Sequence, residues 1–399
     1  MAIEYVDSTQ LDSDLTSVAN AIRAKSGGSS QLAFPAGFVS EIQAIPSGTP
    51  ERTKWYRPPD WPDLSSLTLT PSGSNTNKVY YTIDTSLLPD KTIYSNNYGF
   101  SVGHIDSGVF VSDYTATQES GTTYKIVLPN DCPRYVVAYY AQSGYSGSRG
   151  LIHKSMYDLP VVEIRFARGV KNLPLSAYPT AEIFSIVNPD YSLNFQDTHW
   201  GSGATKVIIF ENGLTIYSKI SALFQNRRAL QEIHFNQETA VTKTSIGTAD
   251  NFCAGCVCLK ELDMSWLHAS GFTNFGNMFD YCFSLKTLNL SNWDMSTVTG
   301  TTNTFRQCYS LENFILDDAI LPKLNISLSD SSRLTDESLV NIANALFTGA
   351  AKTLTLNATP KGRLSTIMGT VDNDIFTADE NGDTTLMSFI TNTKGWTVA

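Results

Sequence analysis

A phrase in the second half of this chain returns after 26 residues. Phe279-Asp-Tyr-Cys282-Phe-Ser-Leu285-Lys-Thr-Leu288-Asn-Leu290 comes back as Phe305-Arg-Gln-Cys308-Tyr-Ser-Leu311-Glu-Asn-Phe314-Ile-Leu316. A repeat of this length describes stacked coils rather than a globule around a central pocket. In Leu-x-x-Leu-x-Leu the last two apolar residues are two apart and share one face of a short strand. One coil cannot cover that row alone, so neighbours above and below must, which predicts a continuous parallel sheet with an inner apolar ladder. Stacked coils present long surfaces, and binding becomes the first functional class to consider.

The repeat extends upstream through Phe252-Cys-Ala-Gly-Cys256-Val-Cys-Leu259-Lys-Glu-Leu262-Asp-Met264 and, more loosely, through Phe224 and Leu230-Gln-Glu-Ile233-His-Phe235. Weaker strands of the same form are expected near Ile164, Ile183 and Val207, with a last one at Thr353–Leu356. A cap follows. Thr335 with Asp336 and Glu337 opens a helix whose buried stripe is Leu339, Ile342 and Leu346, and a further helix near Leu386–Thr391 and a strand at Trp396–Val398 close the chain.

Ahead of the coils, residues 51–150 read as a small β-sandwich. Strands are expected at Leu64–Thr70, Lys78–Ile83, Gly108–Tyr114, Thr122–Leu128 and Tyr135–Tyr140. Trp55 and Trp61 beside prolines would cover its end, or form a platform for a sugar ring. Residues 1–50 read as a short helical module: Leu11, Leu15, Val18, Ala19 and Ile22 keep helical spacing, and Phe34-Pro35 opens a second short helix. So few residues bury little surface, so this module is expected to dock on a partner or on copies of itself. The expected fold is therefore mixed and β-rich: an N-terminal helical module (1–50), a β-sandwich (51–150), a leucine-rich-repeat solenoid with a parallel sheet (151–333) and an α/β C-terminal cap (334–399).

Net charge is −10, and no basic stripe is present to neutralise phosphates, so nucleic acid is not an expected partner. No stretch approaches the ~20 apolar residues of a membrane helix, and membrane insertion is not expected. The first residues lack a basic segment followed by an apolar one, so the chain is expected to be made in a cytoplasm and not to leave by the general secretory route.

Cys253-x-x-Cys256-x-Cys258 suggests zinc only until Cys256, Cys282 and Cys308 are seen to fall one per coil. Residues in register stack as small buried side chains, and no metal or other cofactor is expected. Asp379-Glu-Asn-Gly382-Asp383 lacks the ligand spacing of a calcium loop. Glycoside hydrolysis needs two carboxylates facing across a cleft. The nearest candidates, Glu211, Glu232, Glu261 and Asp263, lie along the sheet face, so no catalytic residue is assigned. If that face binds, its outward rows carry the contact: Glu232, Glu261, Thr287 and Asn313 in one row, and His234, Asp263 and Asn289 in the other, ending at Ile315. Trp200 is the candidate for stacking on a sugar ring. Trp266 and Trp293 recur near the same point of successive coils and are expected in the core.

Leu288-Asn-Leu-Ser-Asn-Trp293-Asp-Met-Ser-Thr-Val-Thr, with Phe305 and Cys308 after it, resembles the bacterial surface-protein leucine-rich repeat of the BspA-like type. The cap (Leu334-Thr-Asp-Glu-Ser-Leu339, Leu354-Thr-Leu356, Lys394-Gly-Trp396-Thr) and the opening (Ala19-Asn-Ala-Ile-Arg-Ala-Lys-Ser-Gly-Gly28, Phe34-Pro-Ala-Gly-Phe38) resemble the ends of tail proteins of phages of Gram-positive bacteria. The resemblance implies a virion protein at the tail tip or baseplate that recognises a host cell-surface glycan or protein without catalysis. It would join other tail proteins through the N-terminal module and form a homotrimer that follows tail symmetry. Two alternatives accompany it: a structural baseplate component whose solenoid binds other virion proteins, and a polysaccharide-degrading tail enzyme.

Overall fold

The computed structural model describes residues 60–69, 76–88, 90–96, 99–143, 151–152, 159–166, 180–187, 204–211, 220–235, 247–265, 271–368 and 384–399. The N-terminal helical module, Trp55, Trp200, Trp266 and the acidic stretch around Gly382 lie outside them. The chain is β-rich, with few helices and a β-solenoid of about five turns.

The first strands in chain order are β1 (Thr76–Asp84), β2 (Thr92–Asn96), β3 (Phe100–Asp106), β4 (Val109–Thr115), β5 (Thr117–Ser120), β6 (Thr123–Val127), β7 (Tyr135–Ser143) and β8 (Leu151–Ile152). The solenoid strands follow: β9 (Val161–Phe166), β10 (Ile183–Ile186), β11 (Val207–Phe210), β12 (Glu232–Phe235), β13 (Glu261–Asp263), β14 (Thr287–Asn289) and β15 (Asn313–Ile315). At the end come β16 (Ile326–Leu328), β17 (Thr353–Leu356) and β18 (Thr397–Val398).

β9 to β15 pair in parallel, in chain order. β9 also pairs antiparallel with β1, so one 11-stranded sheet runs from β15 through β9 into β1, β7, β3 and β4. A second sheet, β5-β6-β2-β8, shares its core with the antiparallel part of the first: Ile93 and Ile126 pack in one cluster with Tyr81, Val102 and Ala138. The backbone bulges between Val102 and Gly103, where an added Cβ would meet the Val111 carbonyl oxygen at 1.9 Å, so only glycine fits there.

Leu64–Leu69 does not form the strand expected over Leu64–Thr70. Asp63 accepts hydrogen bonds from the Ser65 amide and hydroxyl, its carbonyl accepts from Ser66, and the chain winds into a 3-10 turn, Leu64–Ser66. Local side-chain bonds of this kind compete with strand pairing. The turn covers the face of the sheet opposite the main core, with Leu64 and Leu67 against Tyr80 and Val137. Trp61 is buried and stacks on Tyr135 with centroids 5.7 Å apart, so it covers that end and offers no platform.

Arg165 of β9 ties these parts together. Nε and Nη2 donate to the Glu211 carboxylate at 2.9 and 2.7 Å, and Nη1 donates to the carbonyls of Leu64 and Leu67. Both charged groups are largely buried, a geometry that fixes register because removing either side strands the other.

Within the coils the inner ladder follows the sequence register. Leu259, Leu285 and Leu311 form one row, Leu262, Leu288 and Phe314 a second, and Met264, Leu290 and Leu316 a third, all buried. The opposite wall is a series of tight turns linked coil to coil. Asn277, Phe279 and Tyr281 donate their backbone amides to the carbonyls of Thr302, Thr304 and Arg306. Each turn needs a left-handed residue twice. Ala222 and Asn226 serve in one coil, Asn251 and Gly255 in the next, then Asn277 and Tyr281, then Asn303 and Gln307. Next after the second of these, Cys256, Cys282 and Cys308 point inward. Their thiols donate to the carbonyls of Phe224, Cys253 and Phe279 one coil earlier, at 3.0, 3.2 and 3.2 Å. Ser331 continues the row by donating to the Cys308 carbonyl at 3.1 Å.

The sheet edge at β15 is closed by helix α1 (Asp336–Ala345), capped by Thr335 as its sequence predicts. Ser338 stands in for a further strand: its hydroxyl donates to the Glu312 carbonyl and accepts from the Phe314 amide, while Asn341 donates to the Phe314 carbonyl. Covering an edge in this way removes an open pairing surface. Beyond it, β16, β17 and β18 form a separate three-stranded parallel sheet. Helix α2 (Ala358–Arg363) was hidden in the sequence by Pro360 and Gly362. Pro360 sits in the first helical turn, where its missing N–H costs nothing.

Candidate functional site

The outward rows expected on the sheet, His234 apart, stand in the expected register. Glu232 faces Glu261, Glu261 faces Thr287, Thr287 faces Asn313, and Asp263, Asn289 and Ile315 face one another in turn. Their hydrogen bonds decide what they can offer. Asp263 accepts from the amide and hydroxyl of Ser265, and Asn289 accepts in the same way from Ser291, so both carbonyl groups turn the chain at the strand end. His234 lies 2.7 Å from the Glu232 carboxylate. Asn313 donates to Thr287 at 3.4 Å. In the row of Glu232, Glu261, Thr287 and Asn313, Glu261 is the exposed member. Trp293 is buried, with its indole N–H donating to the Met264 carbonyl at 2.9 Å, and has no face for a ligand. Glu211 is committed to Arg165.

A cluster of exposed rings lies elsewhere on the coils, at the corner between the turn wall and the sheet. Tyr281, Phe283 and Tyr309 are 40%, 37% and 48% exposed. Phe283 stacks on Tyr309 across two coils, centroids 5.7 Å apart with 27° between planes, and Tyr281 tilts against Phe283 at 5.8 Å. The Arg306 guanidinium sits 4.9 Å from the centre of the Tyr281 ring and is fixed by a two-pronged bond to buried Asp280. Aspartate beside it raises the guanidinium pKa further, so the charge is permanent. Three residues along each coil, Lys286 pairs with Glu312 at 3.2 Å.

Why these side chains point outward follows from local geometry. Cys282 and Cys308 are drawn inward by their thiol bonds, and the next residue in each coil, Phe283 and Tyr309, turns to the opposite side. Tyr281 stands at φ 59°, where the two earlier coils have Gly255 and Asn226. A left-handed conformation costs a bulky residue about 1 kcal/mol relative to glycine, so an aromatic ring is held on this surface against the preference of its backbone.

The sequence reading placed the aromatic contacts on tryptophans and missed this strip. The signal was present: the aromatics directly after Cys282 and Cys308, Phe283 and Tyr309, cannot share the cysteines' inward direction. No family model matches the chain, and no curated protein or solved structure matches it.

Proposed function

We propose that this chain is a phage tail-tip protein whose solenoid, a leucine-rich repeat of the BspA-like type, recognises a glycan on the host cell surface without cleaving it. The observation that carries the reading is the exposed strip of Tyr281, Phe283 and Tyr309 with Arg306 clamped beside it. A pyranose presents C–H groups that pack on aromatic rings, and a row of ring edges and outer faces at coil spacing suits successive sugar units. The fixed guanidinium and the Lys286–Glu312 pair supply donors and acceptors for hydroxyl or acidic groups at the edge. Rings already packed on one another lose little freedom on binding, which favours a weak, repeated contact of the kind a multivalent virion uses.

The repeat phrase, the phage-like wording of both chain ends and the sequence-level absence of a nucleic-acid footprint support the same reading. Attachment to other tail proteins through residues 1–50 and a homotrimeric state belong to it. An assembly role for the same strip is the competing reading, because Tyr, Phe and Arg are also favoured at protein interfaces.

The test mixes purified full-length protein with cell walls from a panel of Gram-positive bacteria and follows both sedimentation and soluble reducing ends. Saturable binding to at least one wall preparation, competed by its extracted polysaccharide and without sugar release, is the expected result. Release of sugar would move the chain to the tail enzymes. Binding to none of the walls would move it to the assembly components.

A further inference from the structure

A cavity of about 310 Å³ opens inside the solenoid at the last junction before the three-stranded sheet. Its origin can be read in register. In the coil that holds Trp293, the interior is filled by an aromatic trio: Phe272 stacks on Trp293 at 5.1 Å and Phe275 packs on it at 5.9 Å. Twenty-six residues on, the same three positions are Val298, Ala319 and Thr301, and Met278 gives way to Thr304. Where the cavity opens, Thr301 and Thr304 thus stand in its lining at the positions that Phe275 and Met278 hold one coil earlier, while the backbone path is kept. Cores pack without voids wider than a water molecule by default, so a gap this size is a departure from ordinary packing.

The wall opens at the same place. Between the previous two coils, three backbone bonds close the turn wall, from Asn277, Phe279 and Tyr281. Across the next junction, among the described residues, the links are at the two ends. Thr301 donates its hydroxyl to the Asn325 carbonyl, and the Gln307 amide donates to Asp330 at 2.7 Å. Between them Asn303 and Thr304 face Ser327 and Ser329 across a mouth that leads to a floor of Phe275, Met278, Phe279, Leu290, Met295 and Ile326.

We infer that this cavity is a binding site for a compact, uncharged apolar molecule of about two fused rings carrying one hydrogen-bonding group. The size argument is direct: an apolar cavity of roughly 150 Å³ takes up benzene, and this one is about twice as large. The apolar floor makes enclosed water unfavourable and an aromatic or aliphatic ring favourable. The rim selects against anions. Asp330 lines the mouth, and the one cation lining it, Arg306, is already neutralised by Asp280. The hydroxyls of Ser327 and Ser329 lie 3.3 Å apart and can meet a ligand N–H or O–H. The inference does not rest on the glycan reading: the cavity borders the strip at Arg306 but is lined by none of its exposed rings.

The experiment uses full-length protein with isotope-labelled methionine methyl groups, titrated with indole and, separately, with benzoate. The chain has seven methionines, of which Met278 and Met295 line the cavity. Indole is expected to shift those two methyl signals saturably, with Met368 and Met387 unmoved, and benzoate to bind at least about tenfold more weakly because its charge meets Asp330. Thr301→Phe, which copies Phe275 into the next coil, is expected to abolish the shift. Thr301→Leu, a milder filling of the same space, is expected to weaken it and serves if the first variant does not fold. No saturable shift at Met278 and Met295, or an unchanged shift in a folded Thr301 variant, overturns the site. Equal binding of benzoate overturns the assignment to uncharged ligands.

Discussion

The thiol of Cys282 lies 3.2 Å from the carbonyl oxygen of Cys253, one coil earlier, and the same bond recurs from Cys308 to Phe279. Burial pushes both thiols well above the ordinary thiol value of 9.0, so neither is a nucleophile at neutral pH. A maleimide should label exposed Cys258 in the native protein and leave Cys256, Cys282 and Cys308 untouched until denaturant is added. Because these pKa values are raised on folding, their contribution to stability is complete below the unfolded value and declines above it. Stability should therefore hold up to about pH 9 and fall beyond it. Mass spectrometry of the labelled chain checks the first point, and denaturant melts across pH 7 to 11 check the second, each range about the thiol value.

Arg165→Met removes a guanidinium that serves Glu211 and the carbonyls of Leu64 and Leu67 together. Stranding that carboxylate in a buried place should cost about 3 kcal/mol. The double variant with Glu211→Leu should recover part of the loss, which a double-mutant cycle by urea unfolding would read. A double variant no more stable than Arg165→Met alone would assign the cost to the Leu64 and Leu67 carbonyls instead.

The long 26-residue register was legible in the sequence because strand, turn and cysteine all repeat together. It located β13 to β15 and the Cys256–Cys282–Cys308 row, while the cap residue Thr335 with its two acids located the helix that follows. Where no repeat existed, local chemistry governed and was harder to read. β2, β3 and β5 were missed because their strands are short or carry few β-branched residues on both faces. The Asp63 turn was read as a strand because Leu64, Leu67 and Leu69 alternate poorly enough to suit either. The join between β1 and β9 could not be seen at all, since the pairing of distant strands leaves no local mark. At the surface, composition pointed to the polar rows, but only the structure shows that Asp263 and Asn289 are engaged in turns and that Tyr281, Phe283 and Tyr309 form an exposed strip on the coils.

Asp84 links β1 to the turn at Ser86 and to Arg134. Burial alone would raise its carboxyl, but hydrogen bonds from Ser86 and Arg134 outweigh it and leave the pKa below the ordinary value of 3.8. A depressed value stabilises the fold above the unfolded pKa and loses that contribution as pH falls through the folded one. Asp84→Asn should therefore cost about 1 kcal/mol at neutral pH and converge on the parent stability as pH falls through the depressed folded-state value, below the ordinary 3.8. A difference that stays constant between neutral and acid pH would contradict this.

Tyr281→Gly separates stability from binding. Glycine relieves the left-handed backbone at φ 59° and forfeits the ring's contacts with Phe283 and Arg306. Those effects oppose each other, so unfolding free energy should change by less than about 1 kcal/mol. Binding to cell wall should weaken nonetheless. A thermal melt beside a sedimentation assay gives both numbers.

The most direct test of the central claim compares wall binding by full-length protein with Phe283→Ser and Tyr309→Ser combined, against a control with Glu261→Gln on the sheet face. Both sites are exposed, so both variants should fold with melting temperatures close to the parent. The ring variant is predicted to lose at least about tenfold in affinity for the wall polysaccharide, with the Glu261 variant unchanged. Parent-like binding by the ring variant, or loss confined to the Glu261 variant, would contradict recognition through the aromatic strip and return the contact to the sheet face.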